Sequence, residues 1–253
     1  MPVRIYPYGE AICQMHACIY TAIYGGYDTL REQMAQTIPT DFICFTDSPD
    51  VSHAKPWSVV SNHDRPNLHP RMRAKYFKIL SHIVFPDGAV DRSLVPSDFP
   101  ARTYDYLIWI DGSIQLVRPD FVEMIVSHMP EGGWTMLKHP QRDCIYDEAA
   151  ESLRYYPNKY GHLPIIEQVE SYRAEGYPEH NGLMACTVIG RTSKDRSLDR
   201  VNDMWWHENL RWSYQDQLSL PYVLWKLNMT YAPIDLVLGQ NEYFRWISRE
   251  RND

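Results

Sequence analysis

No stretch of this 253-residue chain approaches the ~20 consecutive apolar residues that a membrane-spanning helix needs. The N-terminal run MPVRIYPYGEAICQ has no long apolar segment behind its charge, so no secretory leader is expected. Positive charge is scarce as well: 25 Lys and Arg stand against 32 Asp and Glu, a formal charge of −7. A general nucleic-acid coat would ask for the opposite balance, so an anionic ligand must be met by a local basic patch. The five cysteines (Cys13, Cys18, Cys44, Cys144 and Cys186) are odd in number, widely spaced and without a CxxC pair, which gives no support to a zinc ribbon or a dithiol centre. Cys18, Cys44 and Cys186 fall in apolar runs, and buried free thiols point to a reducing, cytoplasmic compartment. The P-loop, GxGxxG, HExxH and GxSxG patterns are all missing, so nucleophile–His–acid hydrolysis has no footing.

What the chain does have is 44% apolar residues and a regular alternation of patterns. Short apolar runs at 17–28, 41–48, 57–62, 104–111, 132–140 and 181–191 read as strands. Helical spacing marks 70–85, 118–129, 144–156, 164–176, 197–211 and 213–227. Pro119 suits a first turn, and Pro221 is comfortable only in one, which places Asp216 and Gln217 at the last helix's entrance. The residues after 227 read as a short strand and an irregular tail. Alternating strands and helices imply one α/β domain over 1–253, with its core at about 17–240 and helices on both faces of the sheet. In such sheets ligands gather at the carboxyl ends of strands.

Four clusters carry the chemistry. Arg71, Lys75 and Lys78 fall at i, i+4 and i+7 of the 70–85 helix, opposite an apolar stripe of Met72, Tyr76, Ile79, Leu80 and Ile83. They could grip a diphosphate; an ordinary solvated face is the competing reading. Asp111 ends the apolar strand YDYLIWID, where a carboxylate either holds a divalent cation or caps the Asp-Gly turn. His139, Arg142, Asp143, Asp147 and Glu148 crowd the strand-to-helix turn LKHPQRDCIYDEA, with Asp143 placed to cap the helix. His180 and Asn181 precede a buried strand, and a histidine there could ligate a metal or meet a sugar hydroxyl.

The order CIYTAIYGGYD, DFICFTD, the Arg/Lys helix, YLIWIDGS, KHPQRDCIYDE, NGLMACTVIGR and DQLSLPYVL resembles the glycosyltransferase-like domain family of plant mucilage-related and bacterial proteins. It is more distantly similar to family 8 glycosyltransferases of the GT-A fold, a Rossmann-like, mixed but mostly parallel sheet. The resemblance spans roughly residues 17–227. It implies transfer of a sugar from a nucleotide-sugar donor to an acceptor, which could be a glycan, a lipid, a small molecule or a modified nucleic acid, with the anomeric configuration retained. It further implies that Thr21, Ala22 and Tyr24 line the base and ribose pocket with Asp47 nearby, and that Arg71 and Lys75 face the diphosphate. Asp111 and Ser113 occupy the Asp-x-Asp positions of a Mn²⁺ or Mg²⁺ site, with His180 as a substitute donor, because Ser113 stands where a second acid is expected and the usual C-terminal histidine is missing. Asp216 and Gln217 match the pair beside the reacting carbon, with Glu148 as a further acid–base group. His139, Arg142, His180 and Asn181 are left for substrate contacts. A metal-dependent hydrolase and a non-catalytic sugar-nucleotide or glycan-binding module are the rival readings.

Overall fold

The structure, a computed structural model, describes residues 15–48, 54–129 and 133–247; Cys13 lies outside them. The first strand, β1 (Ala17–Ile23), is buried at every residue, as a strand covered on both faces must be. It pairs in parallel with β2 (Thr40–Thr46) and β4 (Tyr106–Ile110), and β3 (Ser58–Ser61) lies parallel outside β2. Beyond β4, β7 (Met184–Thr192) runs against both β4 and β6 (Trp134–Lys138), and β8 (Ala232–Ile234) closes the edge parallel to β6. The order is β3-β2-β1-β4-β7-β6-β8, a Rossmann-like, mostly parallel sheet in which β7 alone is reversed. That reversal brings the start of β7 to the edge where β1, β2, β4 and β6 end. Met136 faces Ile189 but Leu137 faces Ala185, so Cys186, Thr187 and Val188 form a bulge on the β6 side of β7. On the other side Val188 stays paired with Ile110 of β4, and just beyond it Asp111 N–H donates to the Thr187 carbonyl at 2.9 Å.

Helices cover both faces, unevenly. The apolar residues of α1 (Pro70–Ile79), α4 (Ile145–Tyr155), α6 (Ile165–Ala174), α7 (Ser197–Arg211) and α8 (Asp216–Leu227) join Tyr20, Ala22, Tyr24 and Trp109 of the sheet in one core. On the opposite face α3 (Phe121–His128) packs with Ile19, Ile23, Ile108 and Ile110. A ribbon of β5 (Ile114–Leu116) and β9 (Phe244–Trp246) lies beside that face, where an irregular tail was expected. Cys18, Cys44, Cys144 and Cys186 are free and buried.

Several helix boundaries depart from the sequence reading. The 70–85 helix breaks at Leu80 (φ −87°, ψ 50°), and a short α2 (Ser81–Val84) follows at a new angle. The break carries Ile83 off the apolar stripe, and it is 40% exposed. Pro119 lies before the cap of α3 rather than in its first turn. Cys144, not Asp143, is the cap residue of α4. α8 does begin at Asp216, but it runs through Pro221 at its sixth position. A proline there removes one helical hydrogen bond. The helix persists because it is buried against α7, whose Trp205 Nε1 donates to the Asp216 carbonyl in its first turn at 3.2 Å.

At Gly190 of β7 the sheet packs closely against Ile125 of α3. A Cβ at this position would lie 2.5 Å from Ile125 Cγ2 and 3.0 Å from Thr135 Cγ2. Gly190→Ala is therefore expected to destabilise the chain by about 1–3 kcal/mol through overpacking, read as a lower urea midpoint at unchanged slope.

Candidate functional site

The carboxyl edge of the sheet opens into a cleft of about 1610 Å³. Its walls come from α1, the turns after β1, β4 and β6, the start of α8 and the short α5 (Pro157–Tyr160). Five cations line it (Arg71, Lys75, Lys78, Arg142 and Lys159) against four carboxylates (Asp28, Asp111, Glu148 and Asp216). A chain with seven excess acids thus gathers a formal net positive charge in this cleft.

The loops that frame the cleft are clamped by Arg73, at the start of α1. Its guanidinium donates to Asp47 Oδ2 at 3.0 Å and to the carbonyls of Asn62 and Asp64, and lies 4.2 Å from the Tyr24 ring centre. Asp47 in turn accepts from Gly25 N–H at 3.1 Å. Gly25 adopts φ +63°, and a Cβ there would meet Pro70 Cβ at 2.7 Å, so only glycine allows β1 to turn beneath the first residue of α1. Asp47 itself does not line the cleft; it holds the turn in place.

Along β1, alternation sorts the expected pocket residues. Ala22 and Tyr24 line the cleft, whereas Thr21 points to the other face and is 1% exposed. The mouth is aromatic: Arg71 lies 4.0 Å over Tyr27, and His69, the cap of α1, stacks on Tyr214 with centroids 5.4 Å apart.

The floor is a ladder of alternating charges. Asp216 Oδ2 accepts from Lys75 and, at 2.6 Å, from Lys78. Lys78 also donates to Asp111 Oδ1 at 3.1 Å, and the same oxygen accepts Trp109 Nε1 at 2.7 Å. Lys78 is 2% and Asp216 5% exposed, so these are buried pairs rather than a solvated helix face. Burial alone would raise the Asp216 carboxyl; the two ammoniums outweigh it and hold the group well below the carboxylate range. Burial also draws the Lys75 ammonium down, Asp216 notwithstanding, while for Lys78 Asp111 and Asp216 together overcome burial and raise it.

A second knot ties the β6–α4 turn. His139 Nδ1 accepts the Arg142 N–H at 2.9 Å, which leaves Nε2 facing Glu148 Oε2 at 3.7 Å. Arg142 Nε donates to that oxygen at 2.6 Å, while Oε1 takes Gln215 Nε2 and Ser152 Oγ at 3.2 and 3.3 Å. Burial raises the Glu148 carboxyl despite Arg142, and burial together with Arg142 lowers His139 to about 4. Gln217 also lines the cleft and donates to the Met184 carbonyl at 3.0 Å, pinning the start of β7.

The proposed ligands of a divalent cation do not assemble. Asp111 and Ser113 line the cleft together, but Ser113 is neutral and Asp111 already holds an ammonium. His180 is elsewhere: it pairs with Asp143 at 2.7 Å, and the one grouping of three metal-ligating side chains among the described residues joins it to Cys144 and Asp147. None of these lines the cleft, nor does Asn181, which reaches Tyr177 Oη at 3.4 Å. The residues present therefore do not fit a metal at Asp111. Lys159, half-buried, is a wall residue that sequence reasoning passed over, and burial with Arg71 and Lys75 nearby lowers it to about 7. Trp109 was also missed, although period-2 spacing puts it on the Asp111 face of β4.

Residues 9–252 match the family described as TOD1/MUCI70, glycosyltransferase-like domain. The chain belongs to this family. No curated protein matches it. Within the family's domain the cleft residues come from nearly the whole length of the chain, from Ala22 to Trp246.

Two outcomes test this geometry. Asp216→Asn removes the carboxylate shared by Lys75 and the buried Lys78, leaving Lys78 with Asp111 alone, and is expected to cost about 3–5 kcal/mol in urea unfolding. For His139, the unfolded imidazole takes its proton near 6.5 and the folded one only near 4. Between those values the unfolded chain binds the extra proton, so this contribution is present above 6.5 and lost as the pH falls towards 4. His139→Asn, which keeps an acceptor for the Arg142 N–H, is expected to remove roughly 1–2 kcal/mol of that pH dependence, a figure reduced for solvent screening.

Proposed function

We propose that the cleft transfers a sugar from a nucleotide-sugar donor to an acceptor. The observation that carries this reading is the net positive cleft of an otherwise acidic chain, with Arg71, Lys75 and Lys159 in its walls, in a glycosyltransferase-like domain. A departing nucleoside diphosphate develops negative charge, and fixed cations stabilise it at the moment it forms. Ala22 and Tyr24 fit one wall of the nucleotide pocket, and Arg71, Lys75 and Lys159 meet the diphosphate. The aromatic mouth of Tyr27, His69 and Tyr214 offers ring faces to a base or sugar.

In the step itself, the bond from the anomeric carbon to the diphosphate oxygen breaks and its electron pair leaves with the diphosphate. The acceptor's hydroxyl oxygen forms the new bond to that carbon, and its proton passes to a carboxylate. Asp216 makes a poor proton acceptor, since two ammoniums hold it ionised. Glu148, raised by burial, suits the task better, with Arg142 and His139 fixing its position. Asp216 then serves to place Lys75 and Lys78. We take the anomeric configuration to be retained, as the resemblance to family 8 implies, which requires the acceptor oxygen to approach the carbon on the same face from which the diphosphate departs. The acceptor is a hydroxyl-bearing molecule entering beside Glu148.

The test is whether the purified protein releases nucleoside diphosphate from a panel of sugar nucleotides, and whether release depends on an added acceptor. Acceptor-dependent release is expected, with Glu148→Gln lowering kcat by about 10²–10⁴-fold. Release of free sugar without an acceptor would establish hydrolysis instead. Binding with no turnover, unchanged in Asp111→Asn and Glu148→Gln, would reduce the protein to a binding module. Product NMR showing the inverted anomer would overturn retention.

A further inference from the structure

The cleft floor offers two carboxylates, Asp111 and Asp216, to one ammonium. Lys78, 2% exposed, lies 2.6 Å from Asp216 Oδ2 and 3.1 Å from Asp111 Oδ1, while Trp109 Nε1 takes a further site on the Asp111 oxygen. Lys78 is held from behind as well, because Arg191, buried beneath the sheet edge, donates to its main-chain carbonyl at 3.0 Å. A divalent cation entering between Asp111 and Asp216 would therefore meet a fixed positive charge at contact distance. Ser113 gives that cation no charge in return, and His180 is paired with Asp143 outside the cleft.

We propose that this cleft binds the diphosphate of its donor without a divalent cation, with the Lys78 ammonium bridging Asp111 and Asp216 where a metal would sit. The inference rests on the transfer reading above and specifies how its leaving group is stabilised. Lys78 acts as a positioning residue: together with Lys75 it neutralises the two acids that would otherwise repel phosphate. The two lysines and two acids of the floor cancel, so Arg71 and Lys159 supply the uncommitted positive charge that meets the phosphate oxygens. The charge on the bound diphosphate is thus balanced by groups built into the fold.

The experiment is titration calorimetry of the full chain with a panel of nucleoside diphosphates, once in EDTA and once in excess Mn²⁺. Binding in EDTA is expected, with Mn²⁺ improving the Kd less than about threefold and salt weakening it in both conditions. Binding that appears only with Mn²⁺, or tightens tenfold or more, would overturn the inference while leaving the transfer reading intact. No binding in either condition would sink the transfer reading, and the inference with it. Lys78→Met keeps the bulk of the side chain and removes its charge. It is expected to lose at least tenfold in affinity in EDTA and to recover part of it in Mn²⁺, as Asp111 and Asp216 become free to ligate. Undiminished binding by Lys78→Met in EDTA would overturn the inference. Should that variant not fold, Lys159→Ala, at a half-buried position, is expected to weaken binding in EDTA by about tenfold, and wild-type affinity there would count against the cationic site.

Discussion

Two lysines of one helix, an acid from the first turn of another and an acid at the tip of a central strand form a single line of alternating charge, with Lys78 and Asp216 buried at its centre. Residues 75 and 216 are 141 positions apart in the chain, and the buried Asp216 stays ionised because Lys75 and Lys78 both reach it. The ladder therefore does more than join four residues. It sets the depth at which α1 and α8 sit against β4, since a shift of either helix would strand a desolvated charge. Arg191 extends the constraint to β7 by holding the last turn of α1, and through Tyr20 it reaches β1 as well. The cleft wall follows from this arrangement, because Arg71 and Lys75 project from the same helix face that Lys78 anchors.

The chemistry of the cleft is a matter of which charges remain uncommitted. Asp216 is fully engaged and Asp111 partly so, which leaves an acidic protein with a local surplus of positive charge. Such a reversal draws anionic ligands to the edge of the sheet and away from the rest of the surface. On the opposite wall Glu148 is the reverse case: it is surrounded by donors, yet its burial still favours the proton. Two acids of the same cleft are thereby pushed in opposite directions, one suited to hold cations and the other to exchange a proton.

The sheet and most of its helices were legible because strands and helices carry different periods. The 197–211 helix matches its sequence reading end to end, β4 was marked by an unbroken apolar run and β7 by a largely apolar one. The misreadings are local and have local causes. Period alone does not show that α1 ends at Leu80, since the stripe continues across the break. Pro221 was taken as a boundary, but burial against α7 overrides its cost. In the cleft, i, i+4, i+7 spacing correctly put Arg71, Lys75 and Lys78 on one face; that the face is buried depends on Asp216, which only the fold brings near. Thr21 was grouped with Ala22 and Tyr24 although alternation separates them. Lys159 carries no local signal at all, and its place in the wall comes from the packing of a four-residue helix.

The bulge in β7 has a consequence for how such a domain can change over time. On one side of Cys186–Val188 the strand keeps step with β4, and on the other it resumes with β6 three residues out of phase. The sheet is one lattice as far as Met136, and only the last two residues of β6, which lead into His139 and Arg142, sit in a displaced register. A change of length within Cys186–Val188 can be absorbed at that tip. The paired residues of β4, and the lysine helix beside them, stay in place while the turn that presents His139 and Arg142 is free to be retailored.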